Sequence, residues 1–432
     1  MPRTLRLGAL QLCAHDHREF DALYPSVIDR IGRAAHKHDL LVLPEGTFPA
    51  YVLGHSAVDE RSVARAEADL RRIAREASCA IVAGAAVQRG NALYNSAIVV
   101  DRDGTIAGSA EKIFLWHFDR QWFAPGESIE PVRTSIGMLG VLICADGRMP
   151  EIARTLVDRG ADVLVMPTAW VTSGRDPTTL ENLQADLLAS VRAFENGAPF
   201  VAANKCGIEM GMVAYCGKSQ IIDASGEMRA LASQTAEEMV SSVVELRINK
   251  PYRAALPAPV HRVAASERTV RVAFSIAALP SDVDERLRIL EADVALSAAS
   301  DAGFAQLDRE VPLARVEAQE AFDPGFLVQY RLAGYRAAIL DAHASHAWLE
   351  RIARTRAAEL RMYVIVFDRQ AERAYAIDPD GAIVAGTFDG FTIASFALDP
   401  RRTSQTMVAP GTDVAAGLER VRSIARQENA LS

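Results

Sequence analysis

The sequence has little sulfur chemistry to offer, no surplus of positive charge and no long apolar run, and each shortage removes a class of function. Its five cysteines, Cys13, Cys79, Cys144, Cys206 and Cys216, are an odd number scattered without a CxxC pair. That is a poor disulfide framework and suits a reducing compartment. The nine histidines form close pairs only at His15/His17, His36/His38 and His343/His346, none in a zinc spacing with a cysteine, so no metal and no cofactor are expected. A formal charge of -8 gives no basic footprint for a phosphate backbone or an anionic lipid surface. No apolar stretch approaches the roughly 20 residues that span a bilayer. The opening MPRTLRLGALQL lacks the long apolar stretch and cleavage site of a signal peptide, so a cytoplasmic location is the expectation. What remains is a chain of 432 residues, half of them hydrophobic, able to bury a large core and expected to form two lobes around small-molecule chemistry.

Short apolar runs alternate with helical periodicity from the start: LRLGALQL, a helix near Ser26 to Lys37, DLLVLPEG, a helix through Ala64 to Ala77, then CAIVAGAAV. This rhythm predicts α/β layering. The segments ALYNSAIVVDRDGTIAGSAEK and GKSQIIDASGEMRALA read as hairpins whose D-x-x-G turns use Gly104 and Gly226 at positive φ, so the sheet is expected to be mixed. Further on come a strand in GMLGVLICADG, a helix from Pro150 that Gly160 ends, a strand in ADVLVMPTAW, a helix through Ala185 to Glu195 and a strand in PFVAAN. Residues 249–267 carry three prolines and no period, and read as a linker between a domain at 1–248 and a lobe at 268–432. In that lobe RTVRVAFSIA echoes RTLRLGALQL, and TRAAELRMYVIV with IDPDGAIVAG echoes VRAFENGAPFVA with IIDASGEMRA. Any two α/β lobes share strand and turn patterns; the alternative, which we adopt as the expectation, is an internal repeat. Its second copy lacks the middle strands and, with no cysteine after Cys216, cannot repeat thiol chemistry. Packed on the first lobe, such a copy would make an intramolecular pseudo-dimer, with further homo-oligomerisation open.

Glu45 follows LLVLP, Lys112 follows the first hairpin, and Cys144 follows GVLI. Strand ends are where α/β sites form. A thiol attacks only once it loses its proton, so it needs a base or positive charge nearby, and the carbonyl oxygen it attacks needs a donor. A Glu and a Lys can supply both. Each residue also has an ordinary use: a core cysteine, a helix cap, a solvated lysine.

These segments resemble the nitrilase superfamily of carbon-nitrogen hydrolases over residues 4 to 248: LVLPEGTFPAY, EKIFLW with FDRQWFAPGE, GVLICADGRMPE, and RAFEN with VAANKCG and GKSQIIDASGE. The resemblance implies an αββα sandwich with a Glu45-Lys112-Cys144 catalytic triad, Ala145 lending its backbone N–H to the oxyanion, and cleavage of a small amide or N-carbamoyl compound through a thioester. Many relatives carry a second glutamate where this chain has the shorter Asp119, leaving it open whether Asp119 steers Lys112 or pairs with an arginine such as Arg120. Arg148 would meet a substrate carboxylate or serve as a buried partner of Asp146 or Glu151. Trp116, His117, Trp170 and Asn204 are candidates for the pocket lining, Trp170 first. The alternatives within this reading are a true nitrilase, whose signature places Trp-Glu rather than Ala145-Asp146 after the cysteine, and a binding or regulatory scaffold without turnover.

Overall fold

The computed structural model describes residues 3–55, 58–172, 181–246, 251–255, 260–264, 267–277, 290–387 and 392–429. The chain divides into two units, Met1–Pro251 with Arg420–Ser432, and Tyr252–Glu419. The second unit thus ends at Glu419 rather than running to the end of the chain as expected. The proposed linker falls partly outside the described residues; its stretches 251–255 and 260–264 carry no helix or strand.

The first unit contains β1 (Thr4–Cys13), β2 (Leu40–Val42), β3 (Ala80–Arg89), β4 (Ala92–Val100), β5 (Ile106–Glu111), β6 (Val132–Thr134), β7 (Gly137–Val141), β8 (Val163–Pro167), β9 (Phe200–Ala203), β10 (Lys205–Glu209), β11 (Val213–Cys216), β12 (Gln220–Ile222), β13 (Met228–Leu231) and β14 (Glu238–Glu245). Among the described residues these build one sheet in the order β11-β10-β1-β2-β3-β4-β5, with β14 also on β1, and a second in the order β13-β12-β9-β8-β7-β6. Both sheets are mixed. β1, β2 and β3 are parallel, while the β3-β4-β5 meander is antiparallel.

The apolar runs explain the layering. β2 and β8 are buried at every position, so each must be covered on both faces. On the inner side the sheets cover one another, β1, β2 and β3 meeting β8 and β9. On the outer side of the first sheet lie helices Phe20–Ala35 and Glu60–Ala77, and on that of the second Pro150–Asp158 and Ala189–Asn196. Helix Glu60–Ala77 turns Ala66, Leu70, Ile73 and Ala74 inward at helical spacing, while the Asp59 side chain caps its start by accepting from Arg61 N at 2.9 Å. The result is a helix-sheet-sheet-helix sandwich.

The second unit is built from β15 (Val270–Ser275), β16 (Val294–Ser297), β17 (Leu313–Glu317), β18 (Ala337–Ala342), β19 (Tyr363–Asp368), β20 (Arg373–Ile377), β21 (Ile383–Gly386) and β22 (Ala394–Leu398). Among the described residues the sheet orders here are β16-β15-β22 and β17-β18-β19-β20-β21, with β23 (Met407–Ala409) and β24 (Thr412–Asp413) pairing separately. Val272, Phe274, Leu296, Ile339, Phe367 and Phe396 belong to its single shared core, so it too is an α/β unit in its own right.

Candidate active site

Glu45 stands just beyond β2. Its backbone N–H donates to Thr168 O across the inner face at 3.2 Å, and Thr47 and Phe48 both donate to Gly84 O at 3.1 Å. The turn is tight enough to demand glycine on the neighbouring strand: a Cβ on Gly84 would sit 2.4 Å from Pro44 O and 2.5 Å from the Glu45 Cα. Lys112 follows β5 directly, its N–H bonded to Asn95 O and its carbonyl accepting from Gly126 N, both at 2.8 Å. Cys144 opens the 3-10 turn Cys144–Arg148 after β7 with φ of +47°, a left-handed conformation that non-glycine residues rarely adopt.

Asp146 ties the last two segments together. Its Oδ1 accepts from Ile113 N at 3.1 Å and Phe114 N at 2.8 Å, and its Oδ2 from Ile143 N at 3.0 Å. The carboxylate therefore binds the lysine segment to the cysteine turn. Burial still pushes its pKa up, to about 7, against those backbone donors. The Arg148 guanidinium lies 4.9 Å from the centre of the Trp116 ring, both residues half-buried.

The charged centre is fully enclosed. Lys112 Nζ lies 2.7 Å from Glu45 Oε1 and 2.7 Å from Asp119 Oδ2, with all three side chains at 0% exposure. Asp119 thus meets Lys112, and its remaining bonds come from Tyr51 OH to Oδ1 at 2.9 Å and Trp116 N to Oδ2 at 2.8 Å. Asn95 Nδ2 donates to Glu45 Oε1 at 2.6 Å, while Glu45 Oε2 is buried without a hydrogen bond of ordinary geometry. Burial raises the Glu45 pKa; Lys112 opposes the shift, as does a hydrogen-bonding Cys144 thiol. For Lys112 burial works against the charge, but Asp119 and Glu45 outweigh it and hold its pKa well above the ordinary lysine value. Burial first, then Glu45, raises the Cys144 thiol; Lys112, the Thr168 hydroxyl and the backbone N–H of Ala169 pull the other way.

The other candidates divide by position. Ala145 is buried beside Cys144 in the same turn. His117 takes φ of +44° and sets its ring 5.0 Å from that of Phe118. Asn204 is committed to the backbone, accepting from Trp170 N at 2.7 Å and donating to Gly217 O at 2.6 Å, and so it clasps the segments after β8 and β9 to the end of β11. Trp170 is 1% exposed and returns the clasp through its carbonyl, which accepts from Cys216 N at 3.0 Å.

Several residues at the centre escaped sequence reasoning. Asn95 is one, though a polar residue inside the apolar strand ALYNSAIVV was a visible signal. Tyr51, inside the quoted glutamate motif, is another; its ring centre is 5.6 Å from Lys112 Nζ. Behind it lies a second buried ion pair, Lys205 Nζ to Glu209 Oε2 at 3.0 Å, joined by Tyr215 OH at 2.6 Å and Val52 N at 2.6 Å. Nothing in the isolated motif VAANKCGIE marked these two as partners of a distant tyrosine. Among the described residues no group of three or more His, Cys, Asp or Glu is arranged to hold a metal ion, and no helix is long and apolar enough to cross a membrane.

The sequence profile of the carbon-nitrogen hydrolase family matches residues 6–252, more than half of the chain. The chain belongs to the carbon-nitrogen hydrolase family. Three relatives give the match its range. A probable nitrilase of Schizosaccharomyces pombe is 35% identical over 166 residues, 38% of this chain, and only 58% of its own length is spanned. An (R)-stereoselective amidase of Pseudomonas sp. is 29% identical over 251 residues, 57% of this chain and 86% of the relative. The crystal structure of an amidase from Nesterenkonia sp. superposes with a TM-score of 0.50 at 27% identity, covering 56% of this chain and 89% of that one. All three matches leave a large part of the chain uncovered.

Proposed function

We propose that this carbon-nitrogen hydrolase cleaves a small amide or N-carbamoyl compound by nucleophilic attack of Cys144. The observation that carries the reading is the buried Lys112 ammonium held at 2.7 Å from both Glu45 and Asp119, with the Cys144 thiol against Glu45. Three ionisable side chains in contact at zero exposure are costly to a fold, and removing one partner of such a buried pair typically costs about 3–5 kcal/mol. Enclosing them beside a thiol in strained backbone makes chemical sense when the group of charges acts on the thiol and its target.

In this reading Glu45, its proton affinity raised by burial, takes the Cys144 proton as Sγ attacks the carbonyl carbon. The oxyanion is stabilised by Lys112 and the backbone N–H of Ala145. Collapse of the tetrahedral intermediate breaks the C–N bond; the leaving nitrogen takes the proton from Glu45 and departs as ammonia or an amine, leaving a thioester. Glu45 then removes a proton from water, which attacks the thioester, and Cys144 regains its proton as the acid leaves. Asp119 and Tyr51 act through Lys112, fixing the ammonium that faces the substrate oxygen.

The amide reading is supported over nitrile hydrolysis by Ala145-Asp146 after the cysteine and by fuller coverage of the relative named as an amidase, 86% against 58% for the one named as a nitrilase. The test is ammonia release from a panel of short amides, N-carbamoyl compounds and nitriles. The reading predicts turnover of one of the first two classes and, for Cys144→Ala, a loss of about 10⁴-fold or more. Turnover retained by Cys144→Ala would end it.

A further inference from the structure

We infer that the described strands and helices between residues 270 and 398 are a second copy of the catalytic fold from which the chemistry has been lost, with Ala299 where the first copy has Glu45 and Ala318 where it has Cys144. The inference rests on strand pairing and buried contacts, and only its word "catalytic" leans on the function proposed above.

The strand order and directions agree for the strands the two units share, β3 to β6, β10 and β11 having no counterpart in the second unit's sheets among the described residues. β15 runs parallel to β16 and antiparallel to β22, as β1 does to β2 and β14. Along β17-β18-β19-β20-β21 the pairings are parallel, parallel, antiparallel and antiparallel, as along β7-β8-β9-β12-β13. Shared topology alone would be weak evidence, because α/β units draw on few arrangements.

The local irregularities carry the argument. In the hairpins β12-β13 and β20-β21 the register slips at one place, between Ile221 and Ile222 in the first and between Ala376 and Ile377 in the second. The turn that follows is closed by one aspartate in the same way: Asp223 Oδ1 accepts from Glu227 N at 3.1 Å, and Asp378 Oδ1 from Ala382 N at 3.0 Å. At the other end, Asp39 Oδ2 accepts from Arg6 N at 2.9 Å and Asp293 Oδ2 from Arg271 N at 2.8 Å. Inside each unit a fully buried arginine three residues before a glutamate pairs with it and reaches a loop carbonyl: Arg192 with Glu195 to Gly147 O at 3.0 Å, Arg356 with Glu359 to Ala321 O at 2.8 Å. The loops reached are equivalent, each a 3-10 turn after the first parallel strand, Cys144–Arg148 and Ala318–Phe322. Each turn is closed by its own carboxylate, Asp146 accepting from Ile143 N and Glu320 from Glu317 N, both at 3.0 Å. The slip and the aspartate turn also occur together in the β4-β5 hairpin, at Val99/Val100 and Asp101, and so weigh little alone; unrelated lobes have no reason to repeat a buried ion pair aimed at the carbonyl of an equivalent, carboxylate-closed turn.

The register then assigns the chemical positions. Leu139 pairs with Val163 and Leu313 with Ala337, which aligns Cys144 with Ala318. Leu40 pairs with Leu7 and Val294 with Val272, which aligns Glu45 with Ala299. Lys112 has no counterpart: between β16 and β17 the described residues hold the helix Ala302–Glu310 and no strands like β3 to β6. Where the first unit ends its parallel strands in Glu45 and Cys144, the second ends them in an ion pair, Arg369 to Asp341 at 2.6 and 2.7 Å, and a hydrogen bond that Ser345 Oγ donates to Asp368 Oδ1 at 2.5 Å. The chain therefore carries one centre of turnover, and its second copy keeps the scaffold alone.

The experiment compares Arg192→Met with Arg356→Met in the full chain, reading kcat together with amide hydrogen exchange at 144–148 and 318–322. Arg192→Met is expected to speed exchange at 144–148 and lower kcat at least about tenfold, since misplacing a reacting group by about 1 Å can cost about 10²-fold. Arg356→Met is expected to speed exchange at 318–322 and leave kcat within about twofold. Faster exchange that misses 318–322 would overturn the equivalence of the loops, and a fall in kcat matching that of Arg192→Met would overturn the loss of chemistry. Arg192→Lys and Arg356→Lys serve where the methionine variants fail to fold. If the Cys144 reading itself were wrong, Cys144→Ala would keep its turnover while the two exchange patterns still held.

Discussion

Lys112 between two carboxylates is the feature on which the proposed chemistry turns. A single positive charge shared by Glu45 and Asp119 keeps the lysine charged and leaves one Glu45 oxygen for the thiol. Two expectations follow at this scale. Because burial raises Glu45, and a base must be deprotonated to act, kcat/KM should fall with decreasing pH through a limb that lies above the ordinary glutamate value of 4.5. A pH profile flat down to 4.5 would remove Glu45 from the role of base. Asp119→Asn should lower kcat by about 10- to 100-fold through a looser Lys112, with a smaller change in KM, measured by steady-state kinetics. The sequence made Glu45, Lys112 and Cys144 legible because each ends an apolar run inside a motif. It left Asp119 between two partners because the choice depends on a turn, Trp116 N to Asp119 Oδ2, and on Tyr51 arriving from another loop.

At the scale of elements, the loops after β2, β5 and β7 are held by contacts that cross between strands distant in sequence. Gly84 on β3 lies under the Glu45 turn, so Gly84→Ala must push that turn by more than the contact can absorb. The expected cost is about 1–3 kcal/mol of stability from overpacking, read by chemical denaturation, with a parallel fall in kcat. Strands and most helices were readable from apolar period and turn residues, since those signals are local. Helix starts were less so: the first helix begins at Phe20 rather than near Ser26, and the helix expected from Ala185 opens with a π-helical stretch, Gln184–Leu188. The roles of Asn95, Asp146 and Glu209 were hidden for a different reason, because Glu45, Phe114 and Val52, which they meet, lie on other segments and no local period records them.

At the scale of the molecule, the first unit includes the last stretch of the chain. Arg420 Nη2 donates to Gly126 O at 2.8 Å, and Gly126 N in turn donates to Lys112 O. Arg422 lies 3.0 Å from Glu151, just beyond the cysteine turn. Losing a charged hydrogen bond to a buried carbonyl costs about 1.5–3 kcal/mol, so Arg420→Ala should lower the denaturation midpoint correspondingly. No change in the midpoint would show that this contact contributes nothing. The sequence could not foresee this return of the chain, because a lone arginine in a C-terminal helix looks like any solvated charge. It did expose the echo between the two lobes through short strand and turn matches, whereas the alignment of Ala299 and Ala318 with the triad needed the strand registers.

The central claim, that Cys144 carries the acyl group, is tested most directly by intact mass spectrometry. The full chain would be mixed with a turned-over amide, quenched in acid during steady state and mapped by peptide. The account predicts a mass increase equal to the substrate minus its amine, located on the peptide containing Cys144 and absent from Cys144→Ala. An acyl group on another residue, in a protein that still turns over after Cys144→Ala, would contradict it.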